Sequence, residues 1–324
     1  MLEIRDLVKE YRDGTRANAG ISITAVPGQV LGLLGHNGSG KTTLINQVVG
    51  LAKPTAGTIH LDGRDLVAAP AHARRCCALM PQGHTPIDGV TPRQAVEIVG
   101  RIRGATKKHA RRRTAELLTA LDIDQWADAQ GERLSGGVRR LTAFAMAAVQ
   151  PGRVVMLDEP TNDVDPVRRR LLWEQIRILA EAGHAVLLVT HNVVEAERSV
   201  DRLVVLDRGS VMAEGTPAQL RSGAPGELRL ELLAVDGTEL TPEIATAGPV
   251  LRTGRRHLVP ITAASAEHAL VWAQRLQRHG AVEEFALTPS SLEDVYVSLV
   301  GHDQAAPAAA QPTEIETARA GVAG

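Results

Sequence analysis

Three stretches of the chain are apolar at nearly every position: "QVLGLLG" at 29–35, "RVVMLD" at 153–158 and "HAVLLVT" at 184–190. Such runs leave no polar face, so each predicts a strand covered on both sides. Shorter stretches, "LEIRDLV" at 2–8, "GISITAV" at 20–26 and "TIHLDG" at 58–63, read as strands with turn chemistry beside them at Asp13-Gly14 and Asp62-Gly63. "TTLINQVVGL" at 42–51 continues from a Gly-rich loop as a helix. From about Thr91 to Gln150 the pattern is helical throughout, in "TPRQAVEIVGRIRG", "KKHARRRTAELLTAL" and "LTAFAMAAVQ". Another helical stretch, Pro166 to Ala182, separates the last two apolar strands. Buried strands alternating with helices predict an α/β fold with a mostly parallel sheet.

The pattern changes near Ser222-Gly223-Ala224-Pro225. "GELRLELLAV" at 226–235 alternates leucines with polar residues, as a half-buried strand does. "ASAEHALVWAQRLQRHG" reads as a helix ending at Gly280. "TPSSLEDVYVSLVG" predicts another, with Ser290 and Glu293 spaced as a capping box and Gly301 as its stop. Residues 223–301 are therefore expected to form a small C-terminal α+β domain. The Ala/Pro-rich residues 302–324 are expected to be a disordered tail.

At 324 residues the chain is long enough for one large domain and a smaller one. Aromatics make up only 2%, so Ala, Val and Leu must build the core. A net charge of −1 argues against a strongly basic nucleic-acid footprint, though not against a local patch. The runs Arg111–Arg113 and Arg168–Arg170 are read as solvated helix faces. The two cysteines, Cys76 and Cys77, are neighbours. That spacing suits neither an ordinary disulfide nor a structural zinc site, and predicts a buried reduced pair compatible with the cytoplasm. The charged start "MLEIRDLVKEYRDG" is no signal peptide, and no apolar run approaches the roughly 20 residues that span a bilayer.

The strongest chemical signal is "GHNGSGKTT" at 35–43, which fits G-x-x-x-x-G-K-[ST] between a buried strand and a helix. Gly35, His36, Asn37, Gly38, Ser39, Gly40, Lys41, Thr42 and Thr43 then form a phosphate cradle of inward-pointing N–H groups. Lys41 reaches the β- and γ-phosphates, and the Thr42 hydroxyl holds Mg²⁺. In "VVMLDEP" a buried strand ends in Asp158 and Glu159, at the carboxyl end where α/β sheets bind ligands. Asp158 suits the Mg²⁺ shell, and Glu159 suits a base that deprotonates water for attack on the γ-phosphate. "LSGGVRRLTAFAMA" at 134–147 opens a helix on a Ser-Gly-Gly turn, a second anion site without a lysine.

The order of Gly-rich loop, Gln82, "LSGG", "LDEP", Asp165 and His191 resembles the ATPase subunit of an ABC transporter over roughly residues 1–220. The resemblance implies a P-loop NTPase cassette, residues 1–222, with an antiparallel β subdomain and a helical subdomain at about 86–150. It implies that two cassettes dimerise head to tail, so that Ser135, Gly136 and Gly137 of one contact the ATP held by the other. It further implies that Gln82 touches Mg²⁺ or the attacking water and that His191 bonds the γ-phosphate. Asp165 would cross the dimer, and Tyr11 would stack on adenine. The chain departs from the family pattern at Val138, where Gln is usual; one lost hydrogen bond costs only about 0.5–1.5 kcal/mol.

Wording such as "LSGGVRRL" and "SLEDVYVSLVG" is similar to drug- and polymer-exporter ATPases of the daunorubicin-resistance type. That similarity implies an ATP hydrolase driving efflux through separate membrane permease subunits. It would work as a dimer, peripherally at the cytoplasmic face of the membrane. Two alternatives stay open at this point. One is a soluble ABC ATPase acting on ribosomes or DNA, although such proteins usually fuse two cassettes or insert coiled-coil or zinc modules. The other is a regulatory ATP-binding module with little turnover.

Overall fold

The three all-apolar stretches become adjacent strands of one sheet. The computed structural model describes residues 1–83, 87–223, 226–238 and 240–300, the Ser298 side chain apart. The main sheet runs, in spatial order, Cys77–Met80, Val154–Asp158, Ala185–Thr190, Val30–Leu34, Arg202–Asp207 and Ser210–Gly215. Its first five strands are parallel, and the last closes an antiparallel hairpin. Every residue of Val30–Leu34, Val154–Asp158 and Ala185–Thr190 is buried, as their unbroken apolar composition demands.

Because side chains alternate across a strand, this sheet divides two cores. Val154, Met156, Leu187 and Val189 face one, with Leu44, Ile45 and Val48 of the helix Lys41–Val48. The antiparallel sheet Arg16–Ala25, Leu2–Glu10, Ala56–Leu61, Arg64–Asp65 covers that side through Leu2, Ile4, Ile21, Ile23 and Ile59. Val155, Leu157, Val186 and Leu188 face the other core. There they meet helices Gly136–Ala148 and Pro166–Glu181, and helices Pro92–Ile102 and Lys107–Ala120 share the same core. Thr91 with Gln94, Thr106, Ser135 and Asp165 cap these four helices, each accepting a backbone N–H and so satisfying a donor that a helix start leaves over.

Residues beyond 226 build a third sheet, Leu251–Thr253, Arg256–Ile261, Leu228–Ala234 and Val282–Pro289, all antiparallel. Trp272 and Ala269 of helix Ala266–Arg278 pack on it with Leu230, Val259 and Ile261, in a core of their own. The final helix, Leu292–Val300, turns back to the first body: Leu292 is buried in the main core, with Tyr296 and Leu299 packed beside it.

Three expectations are corrected. The cap of the final helix is one residue further on than the Ser290/Glu293 spacing implied. Ser291 N–H donates to Asp294 at 2.7 Å and Asp294 N–H returns to Ser291 Oγ at 3.4 Å, while Ser290 is buried and donates to the Gly226 carbonyl. Arg168–Arg170 is not simply a solvated face. Arg168 pairs with Asp122 and Asp165 and stacks on Trp126, and Arg169 pairs with Glu195. The cysteines are both free, but only Cys77 is buried; Cys76 is half-exposed, its Sγ 3.3 Å from His72 Nε2. Residues 302–324, expected to be disordered, lie outside the described residues.

Burial pushes the Cys77 thiol up to about 12, with Cys76 adding to the rise. Since the thiolate is the reactive form, alkylation of the folded chain at pH 8 should label Cys76 and spare Cys77 until denaturant is added. Mass spectrometry of the labelled peptide reads this directly, and equal labelling of both in the folded chain contradicts it.

Candidate functional site

The Gly-rich loop leaves the buried strand Val30–Leu34 and enters helix Lys41–Val48 through Gly40, whose φ of 101° is left-handed. A Cβ there would lie 2.2 Å from the Ala17 carbonyl, so only glycine closes this turn. Gly35 is confined too, with a Cβ meeting Ser39 Oγ at 2.4 Å and the Leu206 carbonyl at 2.5 Å. Buried Asn18 braces the loop: its Nδ2 donates to the Gly40 carbonyl at 3.1 Å, and its Oδ1 accepts from Gln47 at 2.6 Å. Lys41 Nζ curls over the loop and donates to the Gly35 and His36 carbonyls at 2.6 and 2.8 Å. The His36 ring pairs with Asp207 at 2.6 Å, and the Tyr296 hydroxyl of the final helix reaches the His36 backbone.

Asp158 and Glu159 lie where the sequence put them, at the carboxyl end of a strand buried on both sides. Thr42 Oγ1 donates to Asp158 Oδ2 at 3.3 Å, which sets two hard oxygens side by side. Glu159 has a left-handed φ of 52°. Its carboxylate takes a bond from His191 Nδ1 at 2.7 Å and from Thr190 Oγ1 at 3.3 Å. His191 and Glu159, distant in sequence, are thus brought together. Burial lowers the Lys41 ammonium from its ordinary range, against the pull of Glu159 and Asp158. Burial raises Asp158, with Glu159 adding to the rise while Thr42, Lys41 and Arg140 oppose it.

Ser135, Gly136 and Gly137 line a separate cavity of about 420 Å³, together with Val138, Asp163, Asp165 and Arg168. No residue of the Gly-rich loop lines it. Ser135 caps its own helix, its Oγ accepting the Val138 N–H at 3.4 Å, and Asp165 caps the next. The departure at Val138 now has a physical reason: its side chain is buried in the main core. Tyr11 sits on a turn, 44% exposed, with the Lys9 ammonium over its ring. Gln82 is exposed and meets this cluster through its backbone carbonyl.

The contact that sequence reading missed is Arg140. Although only 6% exposed, it donates to the carbonyls of Pro81, Gln82, Asp158 and Glu159. Burial pushes its guanidinium down, opposed by Asp158, Glu159 and Asp163. The signal in the sequence is weak: Arg140 stands four residues before buried Phe144, on the inner face of the helix, while adjacent Arg139 is only half-buried.

A glycine cradle at a helix start, a lysine over it, and a Thr–Asp oxygen pair beside a His-bonded glutamate define a P-loop nucleoside triphosphatase. Residues 19–162 match the ABC transporter family. Nod factor export ATP-binding protein I of Burkholderia orbicola (strain AU 1054) is 33% identical over 309 residues, 93% of this chain and 97% of its own length. The chain belongs to the ATP-binding subunits of ABC transporters and is an ATPase. The daunorubicin/doxorubicin resistance ATP-binding protein DrrA of Streptomyces peucetius is 34% identical, over 93% of this chain and 92% of that protein. A solved ATP-binding subunit of an ABC transporter superposes with a TM-score of 0.64 at 26% identity, covering 68% of this chain and 92% of that one. A dimeric cassette in a post-hydrolysis state with ADP and Pi shares the fold, with a TM-score of 0.62 at 24% identity over 67% of this chain and 98% of that one.

Asp158 carries a stability cost with a defined sign. Its folded value lies above the ordinary 3.8, so its contribution is full below that value and is lost as pH rises through the folded one. Asp158→Asn should therefore raise the melting temperature of the nucleotide-free protein near neutral pH, and the gain should vanish on acidification. Thermal melts across pH test this; a variant that melts below the parent at pH 7 contradicts it.

Proposed function

We propose that this chain is the ATP-hydrolysing subunit of an exporter, energising efflux of a drug-like or other hydrophobic compound through a separate membrane permease. The names of its relatives, Nod factor export and daunorubicin/doxorubicin resistance, support the direction and the substrate class. Among the described residues no helix is long and apolar enough to cross a membrane, which suits a peripheral subunit at the cytoplasmic face. The domain division follows the same reading: cassette 1–222, C-terminal domain 223–301 and tail 302–324.

One observation carries the mechanism. The signature cavity at Ser135–Gly137 contains no lysine and no part of the Gly-rich loop, so each chain owns two unlike half-sites. Two copies facing head to tail complete both. ATP lies on the N–H groups of Gly38–Thr43 with Lys41 on its phosphates, Tyr11 beside adenine, and the partner subunit's signature turn over the γ-phosphate. Asp165 reaches across the same interface. Thr42, Asp158 and Gln82 would hold Mg²⁺, which would supply charge neutralisation for the phosphates. Glu159 takes the proton of the attacking water, and His191 orients the carboxylate and bonds the γ-phosphate.

If each ATP favours the closed dimer about 100-fold, two sites give about 10⁴, near 5.5 kcal/mol, enough to invert an equilibrium from 1:99 to 99:1. Hydrolysis removes the shared γ-phosphate and the pair reopens. The stroke reaches the permease through helices Pro92–Ile102 and Gly136–Ala148. Between them and strand Cys77–Met80 runs a groove lined by Leu79, Pro81, Val99 and Met146 together with Arg103, with Ile98 and Ile102 exposed on the nearer helix.

Glu159→Gln should lower kcat by about 10²-fold or more while ATP binding persists, the range expected for loss of a general base. A loss below about tenfold removes Glu159 from that role. In dimers assembled with Ser135→Arg in both protomers, steady-state ATPase should fall to background even though each Gly-rich loop still binds nucleotide. Parent-like turnover in such a dimer, or in a strictly monomeric preparation, defeats the composite site.

A further inference from the structure

We propose that Arg140 is a positioning residue that holds the Glu159 backbone in its hydrolytic orientation and ties it to the signature turn and the Gln82 loop. The inference rests on the reading of Glu159 as the base. The guanidinium has five N–H donors, and all five are spent on backbone oxygens. Nε donates to the Glu159 carbonyl at 3.0 Å; Nη1 donates to Pro81 and Gln82 at 2.9 and 2.8 Å; Nη2 donates to Asp158 and Glu159. These carbonyls belong to two separate segments, and a third, the helix, carries the arginine.

Glu159 needs such a grip. Its φ of 52° lies in a region that residues with a side chain avoid, and it persists only if the surroundings impose it. His191 and Thr190 hold the carboxylate from one side. On the other side the Glu159 N–H donates to the Val189 carbonyl at 2.9 Å and its carbonyl accepts the Asn162 N–H at 3.4 Å, but Arg140 is the side chain that grips that carbonyl, with two donors on it. Together they fix both ends of the residue whose carboxylate must point at the water.

The connection also has a direction. Ser135 caps helix Gly136–Ala148, and Arg140 lies five residues along it, an axial rise of about 7.5 Å on a rigid element. A γ-phosphate bound at the Ser-Gly-Gly turn belongs to the partner subunit's ATP, whereas the carbonyl that Arg140 grips belongs to this chain's own base. Closure of the signature turn on one ATP is thereby felt by the base that attacks the other. The Gln82 loop, beside the groove, enters the same link through its carbonyl.

The test is the steady-state kinetics of Arg140→Met and Arg140→Lys in the full chain, with nucleotide binding by a fluorescent ATP analogue and thermal melting alongside. Methionine keeps the stem and removes every donor; lysine keeps the charge and three donors. The expected result is a kcat loss of about 100-fold for methionine and about tenfold for lysine, with KM and analogue affinity within about twofold of the parent. The Hill coefficient for ATP should fall towards one in both. A kcat within about twofold of the parent in the methionine variant overturns the proposal, as does a loss that appears only together with nucleotide affinity. If methionine prevents folding, the lysine variant decides by the same split. Failure of the parent to hydrolyse ATP, or full activity in Glu159→Gln, would instead count against the functional reading.

Discussion

Four charges share a small buried volume at the end of strand Val154–Asp158: Lys41, Arg140, Asp158 and Glu159. Removing such groups from water is costly unless each finds partners, and much of the cassette serves to supply them. Lys41 has the carbonyls of the loop it covers, Arg140 has four backbone oxygens, Asp158 has Thr42, and Glu159 has His191 and Thr190. The two signs nearly balance, so the pocket is a compensated one that a triphosphate and a cation enter by rearranging bonds already present. The opposed shifts on Lys41 and Asp158 express the same tension, burial working against neighbouring charge.

That constraint explains the shape of the scaffold. The charges at the strand ends are buried because both faces of the main sheet are covered, by the antiparallel sheet on one side and by helices on the other. The glycines let the loop pass close to Ala17 and Leu206, where a Cβ at Gly40 or Gly35 would collide with their carbonyls. With aromatics scarce, the cover is made of Leu, Ile, Val and Ala on strands and helices that pack closely. Among the described residues Phe144 is the largest fully buried side chain.

How far the sequence discloses this differs from one region to another. The doubly buried strands and the Gly-rich loop are legible because composition and spacing carry the physics directly: no polar face, then glycines where backbone must approach backbone. The C-terminal sheet is less so. Leu228–Ala234 alternates clearly, and Arg256–Ile261 buries alternate residues although polar His257 is among them; Leu251–Thr253 is exposed at each residue, and half of Val282–Pro289 is exposed, so neither of these two displays a periodicity. The capping register at Ser291 eluded reading because Ser290 and Ser291 offer the same side chain, and burial alone decides between them. Arg140 was hidden by chemistry, since an arginine beside an arginine suggests solvent until the carbonyls it satisfies are known. Arg168 and Arg169 were obscured similarly, their partners Asp122 and Glu195 lying far along the chain.

Helix Leu292–Val300 has a consequence for biosynthesis. Leu292 fills part of the main core and Tyr296 stands against His36 in the loop that receives phosphate. A ribosome delivers that loop long before its neighbour. The nascent cassette must therefore wait, with an open gap in its wall, until nearly three hundred residues have emerged. A chain cut before Leu292 would be one whose early-made loop had never met this support.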